Sequence, residues 1–99
     1  MDARIDSAPA QEVVRTLAAL SDVNRYRIVE LLADGAELSC GVIGRSLRLS
    51  PSLISHHLSV LESAGVIQRR KDGLWTLNRL RRDELARRLS GLHRIAATG

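Results

Sequence analysis

Apolar residues fall along this chain in two rhythms. Over 10–20, Val13, Leu17 and Leu20 recur at i, i+4 and i+7, one stripe of a helix. Ser21 and Asp22 offer a cap for a second helix running to Leu32, with Gly35 placed to stop it. A short third helix is expected over about 39–48, turning Val42, Ile43 and Leu47 inward. Ser50-Pro51 is the clearest boundary: serine at the N-cap accepts from a free backbone N–H, and proline at the first helical position gives up nothing. The helix it opens runs to Gly65, a left-handed stop, and carries Ile54, Leu58 and Leu61 on its inward stripe. The rhythm then shortens. Two strands are expected over 66–71 and 74–80, joined by Asp72-Gly73, a dipeptide that favours a tight hairpin turn. A last helix over about 81–95 carries Leu85, Leu89 and Leu92 on one stripe.

The pattern divides the chain into a loose tail over 1–9, one folded unit over 10–95 and a short tail over 96–99. Five helices with a β-hairpin before the last make a mainly α (α+β) domain, the order of a winged helix-turn-helix. The capped helix is its distinctive part. Opposite the inward stripe lie Ser52, Ser55, His56 and Ser59, a polar, small-sided face without a carboxylate until Glu62. Exposed helix faces usually mix Glu and Lys; hydroxyls and an imidazole let a helix sit deep in a major groove and hydrogen-bond to base edges. The bland alternative is a solvated face rich in serine. The hairpin adds Arg69, Arg70 and Lys71 in succession, with Arg79, Arg81 and Arg82 beyond its turn. These cations suit phosphates flanking the groove, against the alternative of an edge strand guarded by charge.

Composition narrows the picture further. At 99 residues the chain is one domain, and its core is aliphatic, since it has no Phe, one Trp and one Tyr. A domain this small often gains burial from a partner subunit. The net charge of +4 suits a polyanion. One cysteine, Cys40, allows no internal disulfide and points to a reducing compartment. The chain shows neither an apolar membrane span nor a signal-peptide core, so a cytoplasmic location is expected.

Over about 17–92 the sequence resembles the ArsR/SmtB family of bacterial metal- and stress-responsive repressors. The resemblance rests on ALSDVNRYRIVELL (19–32), LSPSLISHHLSVLESAGVI (49–67) and RRKDGLWTLNRL (69–80). It implies a homodimer built from the first and last helices, bound to an inverted repeat in double-stranded DNA. Val13, Leu17, Leu20, Leu85, Leu89 and Leu92 would then form the seam, unless both stripes pack within one subunit. By position, Ser52, Leu53, Ser55 and His56 match the family's base-reading residues, while His57 matches a core-facing histidine. Arg48 stands where the family often has glycine, so the turn is either shaped differently or gains a phosphate contact.

The resemblance also implies where metal would bind, and neither ligand set is here. The third-helix site needs two thiolates, but Glu37-Leu38-Ser39-Cys40-Gly41 holds one sulfur. In the last helix Arg81, Arg82 and Glu84 replace the first ligands, and His93 is offset beside Arg94. No metal or other cofactor is therefore expected. Cys40, near a helix start, is either an oxidant sensor or a small packed side chain.

Other function classes find less support. An enzyme would need a constellation that is missing: no carboxylate is spaced to orient the histidines, and no Gly-rich phosphate loop occurs. RNA binding would want more exposed aromatics than Trp75 and Tyr26. A winged-helix module docking on a partner protein, or a regulator served by a protein corepressor, remains open.

Overall fold

The computed structural model describes residues 8–98. Residues 1–7 and 99, which hold most of the expected N-terminal tail and the end of the C-terminal one, lie outside the described residues. The elements follow the order α1 (Ala8–Leu20), α2 (Val23–Leu31), β1 (Leu38–Ser39), α3 (Cys40–Leu47), α4 (Pro51–Ser63), β2 (Ile67–Asp72), β3 (Trp75–Leu80) and α5 (Arg82–Ala97). α1 begins before Pro9 and α5 runs beyond Ile95, so both outer helices reach into the expected tails.

Local chemistry sets the helix starts. The Asp22 carboxylate accepts from the backbone N–H groups of Asn24 (2.8 Å) and Arg25 (3.1 Å). Those bonds, the one from Arg25 first, hold its pKa below the usual carboxylate value. Ser39 Oγ caps α3 by accepting from Val42 N–H (3.2 Å), and Ser50 Oγ caps α4 by accepting from Leu53 N–H (3.3 Å). α2 ends at Leu31, before Gly35. Gly35 instead turns the following loop at φ 90°. Arg48 closes α3 at φ 57° and ψ 44°, the left-handed cap that glycine usually supplies. It is the only non-glycine with positive φ among the described residues, at a cost of about 1–2 kcal/mol.

The sheet has three strands in the order β1-β3-β2, not the two expected. β1 pairs Leu38 with Asn78 and Ser39 with Leu77, antiparallel to β3. The hairpin turn also sits one residue later than expected, because Asp72 pairs with Trp75 and leaves Gly73-Leu74 as the loop. Gly73 takes φ 61° at the first loop position, a conformation that costs glycine little.

The core is aliphatic and joins every layer: Ile28 and Leu32 of the α2 segment, Ile43, Leu58, Leu61 and Ile67 are buried. Val42, expected inward, is exposed. Leu20 and Leu85 pack against this subunit's own core, so the two stripes are partly consumed within one chain.

α5 is tied to α1 and to the end of α4. Glu12 receives Arg87 (3.1 Å) and lies 3.9 Å from Arg88, while Glu84 receives Arg87 (2.6 Å) and Arg88 (3.0 Å). The guanidinium groups of Arg87 and Arg88 draw the Glu84 carboxyl down to about 2. Arg88 also donates to the Ala64 carbonyl at the C-cap of α4 (2.7 Å). It lies over Gly65, where a Cβ would come within 2.5 Å of Nη2.

Candidate nucleic-acid interface

The wheel of α4 divides as its sequence requires. Ile54, His57, Leu58 and Leu61 are buried. Ser52, Leu53, Ser55, His56 and Ser59 are exposed. No side-chain hydrogen bond from those serines or His56 occurs within the described residues, which leaves their donors and acceptors to solvent or ligand. His57 is structural in geometry: its Nδ1 lies 3.2 Å from Arg25 Nη1, and Arg25 Nε donates to the Ala19 carbonyl (2.6 Å). This chain of contacts seats α4 on α2 and on the end of α1. Arg48 is exposed at the turn just before α4.

The wing differs from its expected arrangement. Successive strand residues point to opposite faces, so three adjacent cations cannot share one side. Arg69 is on the inner face with Ile67, its side chain only 19% exposed. Its Nε donates to Asn78 Oδ1 (3.0 Å), Nη2 to Cys40 Sγ (3.6 Å), and Nη1 lies 4.0 Å from Glu62. The reading of Arg69 as a phosphate contact is thus corrected: it is an internal strut. Arg70, on the outer face, makes a two-pronged pair with Glu37 (2.8 and 3.0 Å). That bond pulls the Glu37 carboxyl below its ordinary value. Lys71 is exposed and without a partner among the described residues.

Asn78, which sequence reasoning passed over, is the centre of the inner face. It is fully buried, donates to the Leu38 carbonyl (3.0 Å) and contacts Cys40 Sγ (3.5 Å). Half-buried Cys40 thus sits at the first turn of α3 with two donors aimed at its sulfur.

An apolar surface lies along α1 and α5. Val13, Val14, Leu92 and Ile95 line an open groove of about 710 Å³ between α1 and α5. Leu17 and Leu92 are exposed, Val13 and Leu89 half-buried. Val14 and Ile95 belong to this surface although neither was on the expected stripes. Continuing the stripe three residues past Leu92 would have reached Ile95. Among the described residues, no three His, Cys, Asp or Glu side chains are grouped to hold a metal, and no helix is long and apolar enough to cross a membrane.

A family model described as "Bacterial regulatory protein, arsR family" matches residues 22–69, from the cap of α2 into β2. The putative arsenical resistance operon repressor ArsR of Halobacterium salinarum is 40% identical over 76 residues, 76% of this chain and 59% of its own length. The chain therefore spans less than two thirds of that relative. An ArsR-like transcriptional regulator from Rhodococcus superposes with a TM-score of 0.79 at 30% identity, covering 92% of this chain and 85% of the other. A homodimeric winged helix-turn-helix DNA-binding domain from Mycobacterium bovis gives 0.72 at 25% identity, covering 88% and 80%. These relatives are regulators of transcription, not enzymes. With its capped α4, its wing and this agreement along most of its length, the chain belongs to the ArsR family of winged helix-turn-helix, DNA-binding transcriptional regulators.

Proposed function

We propose that this chain is a cytoplasmic, sequence-specific repressor that binds an inverted repeat in double-stranded DNA as a homodimer. The observation that carries this reading is the exposed, carboxylate-free face of α4, where Ser52, Ser55, His56 and Ser59 stand unpartnered beside Leu53. In a major groove these groups meet base edges, while Arg48 and Lys71 meet phosphates on either side. Arg70 joins them only by leaving Glu37. The repressor named in Halobacterium and the homodimer from Mycobacterium support repression and pairing. The apolar surface of α1 and α5 supports a seam there.

Binding-site selection from a random duplex pool tests the reading. Ser55→Ala and His56→Ala relax sequence preference, each base contact being worth about 1–3 kcal/mol. Lys71→Ala lowers affinity evenly across sequences and cuts the salt slope by about 1. The assignment is reversed if K71A changes preference while H56A weakens all sites alike.

One observation favours a redox-responsive form of the same reading. The Cys40 sulfur is half-buried at a helix start, 3.6 Å from the Arg69 guanidinium and 3.5 Å from the Asn78 amide. Peroxide then converts it to a sulfenic acid, with water as the other product, and disturbs the strut that joins α3 to the wing. Peroxide weakens DNA binding, thiol reductant restores it, and Cys40→Ser responds to neither. An identical response of wild type and C40S makes the thiol a packing group only.

A further inference from the structure

Where α3 turns into α4 the fold leaves a cavity of about 350 Å³. Gly41 and Gly44 of α3 line one side of it, and Leu49 and Ile54 line the other. Ile54 is buried and Leu49 packs against the core, so these walls are aliphatic. The glycines shape the space in two ways. At Gly44 a Cβ would stand 3.3 Å from the Leu49 carbonyl, which lets the two helices meet closely. At Gly41 a Cβ would meet only the far end of the Arg45 side chain, 3.3 Å away, so the room beside it is unfilled.

The same cavity carries two cations. Arg45 and Arg48 both line it and both are exposed. Neither guanidinium has a hydrogen bond or ion pair among the described residues. Arg69 and Arg70 differ, being tied to Asn78 and Glu37. Arg48 is moreover held in the left-handed conformation at φ 57°, without the glycine that would relieve it. Strained backbone of this kind concentrates at ligand clamps and switch regions.

We propose that this cavity binds a small amphiphilic carboxylate, its apolar body between α3 and α4 and its anionic head on Arg45 and Arg48. Size and charge select that class. The volume falls within the roughly 300–1,000 Å³ of small-molecule sites and is too small for a helix about 10 Å across. Aliphatic walls suit a ring or a short alkyl chain, while paired guanidinium groups suit a carboxylate, which they hold by charge-assisted hydrogen bonds. Occupancy also has a consequence for DNA. A carboxylate that engages Arg48 takes that cation from a phosphate, and its body wedges the helix that reads bases against the helix behind it. The ligand therefore releases DNA. The release rests on the DNA-binding reading above, whereas the pocket itself does not.

The probes are 2-naphthoate and octanoate, titrated calorimetrically into the full chain, with uncharged 2-naphthamide as the control. The expected result is that a carboxylate binds and that naphthamide binds about fivefold more weakly than naphthoate. Arg45→Met weakens naphthoate by a similar factor. Gly41→Leu fills the cavity and abolishes binding, while circular dichroism shows the helices kept, since leucine forms helix better than glycine. Cys40 also lines the cavity and is the only cysteine, so bound naphthoate slows its alkylation by iodoacetamide. Saturating naphthoate weakens binding to a duplex selected from a random pool and lowers its salt slope by about 1. The proposal is overturned if neither carboxylate binds, if naphthamide binds as well as naphthoate, or if G41L binds naphthoate like wild type. It is overturned too if saturating naphthoate leaves duplex affinity unchanged. A chain that takes naphthoate as described but binds no duplex at all supports the pocket and removes the DNA reading.

Discussion

Leu92→Glu is expected to convert the dimer to monomers while leaving the subunit folded. In one subunit Leu92 is 41% exposed on the rim of the groove between α1 and α5, so a glutamate there stays in water. In a dimer seated on that groove the same carboxylate is taken out of water against Val13, Val14 and Ile95, with Arg94 among the residues lining the groove. Burying a charge costs several kcal/mol, and about 3 kcal/mol weakens association by roughly a hundredfold. Two-fold symmetry brings the penalty in twice. Sedimentation velocity reads the loss of dimer, and circular dichroism reads the retained helix. Affinity for an inverted repeat falls with the dimer, since each half-site is then bound alone. Leu89→Glu, at a half-buried position on the same helix, loses folding as well. An L92E protein that sediments as wild type would place the seam elsewhere.

The second large effect is thermal. Asn78→Ala is expected to lower stability by about 3 kcal/mol, since each buried polar group left unpaired costs roughly 1–3 kcal/mol. Its amide is the donor that the Leu38 carbonyl receives, and its oxygen is the acceptor for Arg69 Nε. Removing both groups strands a guanidinium that is mostly out of solvent and loosens β1 from β3. For a domain of this length the melting temperature drops by roughly 10–20 °C. Adding Arg69→Met to Asn78→Leu recovers part of the loss, because the stranded charge goes with its partner. A melt of N78A within a few degrees of wild type would mean that water replaces the amide at little cost.

Local signals were the legible ones. Asp22 and Ser50, read as caps, do cap their helices, because a short side-chain oxygen needs only its own next three residues to do so; Ser39 does the same for α3 and was not singled out. The inward stripe and the outward face of α4 followed from helical spacing, and the buried place of His57 from the family resemblance. Non-local pairing was not legible. β1 is two residues long and exists because β3, some 40 residues on, lies beside it. The inward turn of Arg69 was available from strand alternation, yet the run of three cations was read as one patch. The hairpin sits one residue later than expected: Asp72 extends the ladder by pairing with Trp75, and Gly73 takes the positive φ of the first loop position. Arg48 shows the converse: the fold imposed a left-handed residue at the corner without the glycine that would announce it. Of the two outer stripes, Leu20 and Leu85 pack on their own core, while Val14 and Ile95, off those stripes, are exposed beside Leu17 and Leu92.

Arg88 gives the subunit a property beyond its own stability. One guanidinium meets Glu84 on its own helix, the carboxylate of Glu12 on α1 and the last carbonyl of α4, and a glycine is kept beneath it. The helices of the proposed seam and the helix of the proposed reading face are thereby clamped together. In a dimer seated on α1 and α5, the gap between the two α4 helices is then a fixed gauge, set by the seam and indifferent to the residues on the reading face. On the proposed arrangement, which bases are read and how far apart they are read would be written in different helices, and each could change through evolution without rewriting the other.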